Sequence, residues 1–440
     1  MVVFCNFALC AKTACTRFYN TSPMRTILKN ILLFAIILSV ASCSSFKAIE
    51  RGHTLHSDEA FKTYLQNENI EITQNNDVEL LNGAHAKFAD MFGAIKEAKH
   101  HIHLEYFNFR NDSINKVLIT LLAQKAKEGV EVRALFDAFG NMSNNKPLKK
   151  EHIEAIRAQG IELVKFDPIN FPWVNHSVSR DHRKIVVIDG LVAYTGGINV
   201  ADYYLTGIEG IGKWRDIHTR VEGAAVAKLQ DIFLAMWNRE TGQQIGGYKY
   251  YPQPADAGDA AVAVVDRWPG KNPKQMRQVY ANAINAAKDS VTIVSPYFVP
   301  LRVIRKAINK ALEDGVKVNI MLTAEGDIPL VPDGVWRIGY KFMKRGANVY
   351  MYNGGFNHSK VMCVDDSYIT VGSTNLNSRS LRYDYETNIF VFDKQDTRDL
   401  YDILAQDKKE SFLLTKEIYK ERSWWRRFCG FFVELLTPIM

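Results

Sequence analysis

The sequence predicts an α/β protein of two similar domains, each a mostly parallel mixed sheet flanked by helices. Three observations predict it. Strand-like and helix-like segments alternate, which favours sheets covered by helices. The alternation runs twice in the same order, and each copy ends in the same spaced set of His, Lys, Asp, Gly and Asn. The 440 residues, 47% hydrophobic and 23% charged, suffice for two packed cores and exclude a disordered or fibrous chain. The six cysteines, at 5, 10, 15, 43, 363 and 429, have neither zinc-site spacing nor the density of a disulfide framework, so no metal or cofactor is expected.

The first segment, 1–43, reads as an address. Arg25 and Lys29 precede the apolar run 31–41, the order of a secretory signal. The run is short against the about 20 apolar residues a spanning helix needs. It ends in Val40-Ala41-Ser42-Cys43-Ser44-Ser45, which resembles a bacterial lipobox with Cys43 as the lipidated residue. Met24 is then a second candidate start. The other reading is an uncleaved anchor extended back through Ile27 and Leu28. A lipoprotein would face the periplasm, an uncleaved anchor would sit in the inner membrane, and either ties the chain to a membrane.

The first domain is expected over 52–248. Residues 98–107 read as a strand, 118–127 as a helix and 129–137 as a second strand. A further helix closes at Gln159-Gly160. The Pro- and Gly-rich stretch 249–259 reads as a linker. In the second domain, 260–420, residues 287–298, 303–312 and 315–322 repeat strand, helix and strand, with Arg345-Gly346 closing the matching helix. Neither copy has a Gly-rich phosphate loop, so nucleotide binding has no support. In 421–440, Trp424, Phe428, Phe431, Phe432, Leu435 and Ile439 fall at helical spacing beside Arg422, Arg426 and Arg427. This amphipathic helix lies in a lipid headgroup plane or docks on the protein's own core.

Asp181-His182-Arg183-Lys184 and Asn357-His358-Ser359-Lys360 open two segments that follow His-x-Lys-x4-Asp-x6-Gly-[Gly/Ser]-x-Asn throughout. The apolar residues after each Lys, and Asp189-Gly190 after the first run, predict a strand entering a hairpin. On a strand, positions i and i+2 share a face, so His182 and Lys184 point together, as do His358 and Lys360. Earlier in the chain, His101 and His103 share a face with Glu105, and core packing with interdomain hydrogen bonding is expected there rather than metal binding.

Residue for residue, the paired motifs resemble the phospholipase D superfamily, and within it the bacterial cardiolipin synthases. The strings that carry the likeness include Thr195-Gly-Gly-Ile-Asn199, Trp214-Arg-Asp216, Pro296-Tyr-Phe-Val-Pro300 and 371–380. The resemblance implies two phospholipase D-like domains with the active site at their interface, and a phosphohistidine intermediate. It implies His182 as nucleophile and His358 as general acid, although motif order alone leaves the swap open. Lys184, Lys360, Asn199, Ser373 and Asn375 would hold the phosphate, Gly197 standing where the second copy has Ser373. Asp216 and Glu386 stand where the superfamily keeps the acids that orient the histidines. Asp189 and Asp365 complete the motif as catalytic or as structural residues.

The implied partners are phospholipid substrates, phosphatidylglycerol first, and a membrane surface, with cardiolipin and glycerol as products. A hydrolytic phospholipase D would use the same residues. A nuclease fits less well, and no nucleic-acid partner is expected. Removing Lys12, Arg17, Arg25 and Lys29 from the formal charge of +7 leaves +3 for the rest of the chain. The oligomeric state is not written in these residues.

Overall fold

The computed structural model describes residues 48–49, 56–168, 178–254 and 256–437. The expectations for 1–43, Cys43 included, lie outside the described residues. The first half supplies β1 (Ile72–Asn82), β2 (His101–Tyr106), β3 (Glu131–Asp137), β4 (Glu162–Phe166), β5 (Lys184–Ile188), β6 (Val192–Gly196), β7 (Lys213–Arg215) and β8 (Ile217–Glu222). The second supplies β9 (Ala260–Arg267), β10 (Ser290–Val294), β11 (Lys317–Thr323), β12 (Asn348–Tyr352), β13 (Gly355–Asn357), β14 (Val361–Val364), β15 (Tyr368–Gly372), β16 (Glu386–Phe392) and β17 (Ser411–Leu413).

Fifteen of these strands form one continuous sheet in the order β17-β12-β11-β10-β14-β15-β16-β9-β1-β8-β6-β5-β2-β3-β4. The order reads alike outward from its centre, where β1 meets β9 antiparallel across an irregularity between Thr73 and Asn76. The duplication seen in the sequence is therefore an approximate two-fold in space, with β17 added at one edge.

The parallel share is smaller than strand–helix alternation implies. Among the described strands of this sheet, β2–β3–β4 and β10–β11–β12 pair in parallel and the other neighbours pair antiparallel. The reason is local. Both motif strands turn straight back as hairpins, β5 into β6 and β14 into β15, and a short turn permits no parallel return.

The motif strands are apolar on both faces because each separates two cores. Val186 and Ile188 point into the first half's helix-covered core, whereas Ile185 and Val187 point into a cluster shared by both halves. In β14, Met362 and Val364 face the second half's core while Val361 and Cys363 face the shared cluster. Such doubly buried strands read as unbroken apolar runs. In the shared cluster β15 packs on β6 and β8, and β16 on β6, which brings the beginnings of the two motif strands together.

Residues Trp424–Leu435 form the expected C-terminal helix, and one of its faces docks on the protein's own core. Its small face docks on the helix Val331–Met343: a Cβ on Gly430 would lie 2.4 Å from the Asp333 carbonyl oxygen, and one on Gly334 would lie 2.2 Å from Val433 Cγ1. Glu434 receives Arg305 at 3.0 Å and Arg337 at 2.8 Å. The opposite face leaves Trp424 70%, Trp425 51%, Phe428 50% and Phe431 49% exposed.

Candidate active site

Each motif segment is tied to the other half by backbone before any side chain is considered. Asp181 bridges Tyr385 in parallel, and the His182 amide donates to the Tyr385 carbonyl at 3.0 Å. Symmetrically, β13 pairs in parallel with β7, matching Asn357 to Arg215, and the His358 amide donates to the Arg215 carbonyl at 2.6 Å. The residue after each bridge is then a histidine on one side and a carboxylate on the other.

The side chains cross accordingly. His182 Nδ1 lies 3.1 and 3.2 Å from the two oxygens of Glu386. His358 Nδ1 lies 2.6 Å from Asp216 Oδ2. A carboxylate on Nδ1 fixes the tautomer that carries hydrogen there and leaves Nε2 for chemistry. Glu386 and Asp216 are both buried. Each acid thus serves the histidine of the opposite half, a pairing that the one-dimensional motif does not display.

Burial lowers the His182 pKa to about 4, helped by the Lys184 charge and opposed by Glu386. Burial and Lys360 lower His358 to about 3 against the pull of Asp216. Both rings are neutral at pH 7 in the free site. Burial also lowers Lys184 to about 7 and Lys360 to about 8. Two desolvated lysines of weakened basicity make a site that gains from an incoming anion. The Lys360 ammonium sits 2.8 Å from His358 Nδ1 and 3.1 Å from Nε2, while Lys184 donates to the His182 carbonyl.

The remaining predicted residues divide. Asn199 and Asn375 are both buried, each with a side-chain oxygen that has no hydrogen-bond partner. Asn199 Nδ2 donates to the Tyr204 hydroxyl at 3.1 Å. Ser373, expected on the phosphate, instead gives its hydroxyl hydrogen to Glu386 and accepts from the Thr387 amide at 3.0 Å. It braces the orienting acid, because the extended β16 brings Glu386 beside it.

The same position in the first half explains Gly197. A Cβ there would lie 2.2 Å from Asp216 Oδ1. Aspartate, one methylene shorter than glutamate, holds its carboxylate closer to its own backbone, and only glycine leaves the room.

Asp189 and Asp365 do not face the histidines. The strand between Lys184 and Asp189 is about 16 Å long at about 3.3 Å per residue. At its far end Asp189 accepts the amides of Lys99, His100 and His101 at 2.7–2.9 Å. Asp365 does the same for Lys288, Asp289 and Ser290 at 2.7–3.0 Å. Both aspartates sit at positive φ, 56° and 49°, and cap the turn that starts β2 or β10. Their placement in the catalytic set is corrected to a structural one.

His101 and His103 engage Gln230 at 3.3 and 2.8 Å, and Glu105 accepts Arg183 at 3.2 Å. Those contacts lie within the first half rather than between domains. Bonds across the halves come from Arg183, which reaches Asp266 at 2.6 Å, and from the Arg180 amide, which donates to Asp384 at 3.0 Å. Arg180 also pairs with buried Asp137 at 3.0 Å. Two arginines thus brace the His182 loop. Their proximity in sequence was visible but their partners, distant in the chain, were not.

Reading the sequence also missed the rings around His358. Tyr204, Trp214, Tyr297 and Phe356 place their centroids 6.0, 5.4, 6.1 and 5.7 Å from its imidazole. Trp214 and Phe356 flank the parallel bridge in β7 and β13, so the pairing that positions the histidine also walls it with apolar surface.

The family model described as cardiolipin synthase, PLD-like domain, matches residues 91–237 and 280–408. A cardiolipin synthase of Listeria monocytogenes is 35% identical over 379 residues, covering 86% of this chain and 78% of that protein. Cardiolipin synthase 1 of Staphylococcus epidermidis is 34% identical over 380 residues, covering 86% and 76%. Among solved structures, a phosphatidylserine synthase of Haemophilus influenzae superposes with a TM-score of 0.66 at 16% identity, covering 86% of this chain and all of that one. A polyphosphate kinase of Porphyromonas gingivalis superposes with a TM-score of 0.52 at 15% identity, covering 78% and 49%. Two matching segments, one per half, and relatives aligned over most of their length place the chain in the cardiolipin synthase family of phospholipase D-like proteins.

Proposed function

We propose that the chain is a phosphatidyltransferase that moves a phosphatidyl group onto a hydroxyl of phosphatidylglycerol, forming cardiolipin and releasing glycerol. The observation that carries this reading is the crossed pair of His–carboxylate units, each with its own lysine. Binding of the phosphodiester anion offsets the lysine charges beside His358, which takes up a proton on Nε2 from solvent. In the first step His182 Nε2 then bonds to the donor phosphorus, the bond from phosphorus to the head-group oxygen breaks, and His358 gives that oxygen its Nε2 proton. In the second, the acceptor hydroxyl bonds to phosphorus, its proton passes to His358, and the P–N bond to His182 breaks. Lys184 and Lys360 stabilise the nonbridging oxygens as charge builds on them. The aromatic wall beside His358 disfavours water as the competing acceptor.

The reaction is proposed to take place at a membrane surface. The four exposed aromatics of the C-terminal helix, with Arg426 and Arg427 among them, suit an anionic headgroup layer. Among the described residues no helix is long and apolar enough to cross a membrane. Lipidation at Cys43, with the body facing the periplasm, is part of the same proposal and is tested by the mass of the mature N-terminus.

The deciding experiment gives the purified protein phosphatidylglycerol in mixed micelles, beside His182→Ala and His358→Ala. Cardiolipin with stoichiometric glycerol, lost in both variants, is expected. Phosphatidic acid in place of cardiolipin would make the protein a hydrolase, and turnover surviving in either variant would remove that histidine from the mechanism.

A further inference from the structure

The loop 324–330 carries a polar group that the chemistry above leaves unused. Tyr297 stands edge-on to His358, and its hydroxyl donates to Asp327 Oδ1 at 2.7 Å. Asp327 is exposed. Through Tyr297 it is held on the His358 side of the site. It packs with Pro296, Tyr297, Ile328, Pro332 and Phe356, and Phe356 also packs on His358.

A carboxylate offers about four lone-pair sites. The Tyr297 hydroxyl occupies one of them, and the exposed carboxylate keeps acceptor capacity for a ligand. Val331 and Pro332, which belong to the same cluster, begin the helix on which the aromatic C-terminal helix docks.

From this geometry we infer that Asp327 is a specificity-determining residue that accepts a hydrogen bond from a head-group hydroxyl, holding the polyol of the leaving and incoming alcohols beside His358. The inference rests on the proposed phosphatidyl transfer. His358 protonates the leaving oxygen and deprotonates the incoming one, so both alcohols occupy its side. A glycerol head group has a second hydroxyl that reaches past the reacting oxygen, whereas water has nothing to offer Asp327. The carboxylate therefore favours the alcohol over water at the phosphohistidine.

The test is the ratio of cardiolipin to phosphatidic acid formed from phosphatidylglycerol in mixed micelles. Both products leave one intermediate, so changes in the first step cancel. Asp327→Ala is expected to lower the ratio about tenfold, the worth of one hydrogen bond to a charged acceptor. Tyr297→Phe, which keeps the carboxylate, is expected to hold the ratio within twofold. Should Asp327→Ala not fold, Asp327→Asn serves, with a fall in the same direction. An unchanged ratio in the Asp327 variant overturns the inference, as does an equal fall in Tyr297→Phe, which would assign the effect to the Tyr297 hydroxyl. Wild-type protein that turns lipid over without making cardiolipin overturns the proposed function itself, and the two failures are told apart by the wild-type products.

Discussion

Asp216→Asn is the substitution that separates the roles of the two histidines. Asp216 belongs to the first half yet holds His358 of the second at 2.6 Å with both groups buried. Asparagine keeps the shape and removes the charge that supports a proton on His358. A buried hydrogen bond to a charged group is worth about 1.5–3 kcal/mol, which corresponds to about 10- to 150-fold in rate. The loss should fall on kcat, with KM changed less than threefold, because the acid acts on an oxygen that becomes basic only as its bond breaks. A phosphatidyl ester of p-nitrophenol removes that need, since its leaving group departs without a proton. With this donor, release of nitrophenol in the first turnover by Asp216→Asn should return to within about threefold of wild type. Glu386→Gln, which disturbs the proposed nucleophile His182, should stay impaired with either donor. Stopped-flow absorbance of the first turnover reads both. Rescue of Glu386→Gln in place of Asp216→Asn would exchange the two histidines, and rescue of neither would refute the general-acid role altogether.

Four further outcomes follow from the geometry. Gly197→Ser places a Cβ within 2.2 Å of Asp216 Oδ1, so it should displace the acid, reduce kcat by about 100-fold and be rescued by the nitrophenyl donor as Asp216→Asn is. Asp189→Ala strips three amides of their acceptor and puts alanine at a φ of 56°; it should cost about 3 kcal/mol by denaturant titration, with kcat of the folded enzyme within threefold of wild type. The Lys184 and Lys360 pKa values of about 7 and 8 lie below those of the unfolded chain, so their contribution to stability rises between pH 7 and 10 and is lost as pH falls through that window. An anion should restore both charges, and calorimetry of tungstate binding at pH 8.5 in buffers of different ionisation enthalpy should show uptake of about one to two protons; no uptake would refute the lowered lysines. Replacing Trp424, Trp425, Phe428 and Phe431 with serine should weaken sedimentation with phosphatidylglycerol vesicles by about 1000-fold, at about 1 kcal/mol per half-exposed ring, while unchanged sedimentation would move the membrane contact elsewhere.

Much of this site was legible because the chain states it twice. The repeat located His182 and His358, their lysines and the hairpins behind them, and the positions of Asp216 and Glu386 came with the resemblance. What the sequence did not display is how the halves meet. Motif spacing is a property of one strand, whereas the bridges from Asp181 to Tyr385 and from Asn357 to Arg215 depend on packing across the shared core. The crossing of the acids, the bracing of Glu386 by Ser373 and the rings around His358 all follow from that meeting. Asp189 and Asp365 misled for the opposite reason. They are as regularly spaced as the histidines, but a repeated turn needs its cap as much as a repeated site needs its nucleophile. The excess of antiparallel pairs has a similar source, since alternation of helix and strand covers only the first four strands of each half, of which the second to fourth pair in parallel.

The crossed carboxylates also bear on what happens before the protein is finished. An emerging first half already carries His182 and Lys184, but the acid that orients its imidazole is still to be synthesised, and Asp216 waits likewise for His358. Neither half has a complete proton-handling unit while the other is unfolded, cleaved away or displaced. On the proposed mechanism, a chain that acts on phospholipids is thereby kept from cutting them during its own assembly, and phosphodiester chemistry becomes a late consequence of correct folding.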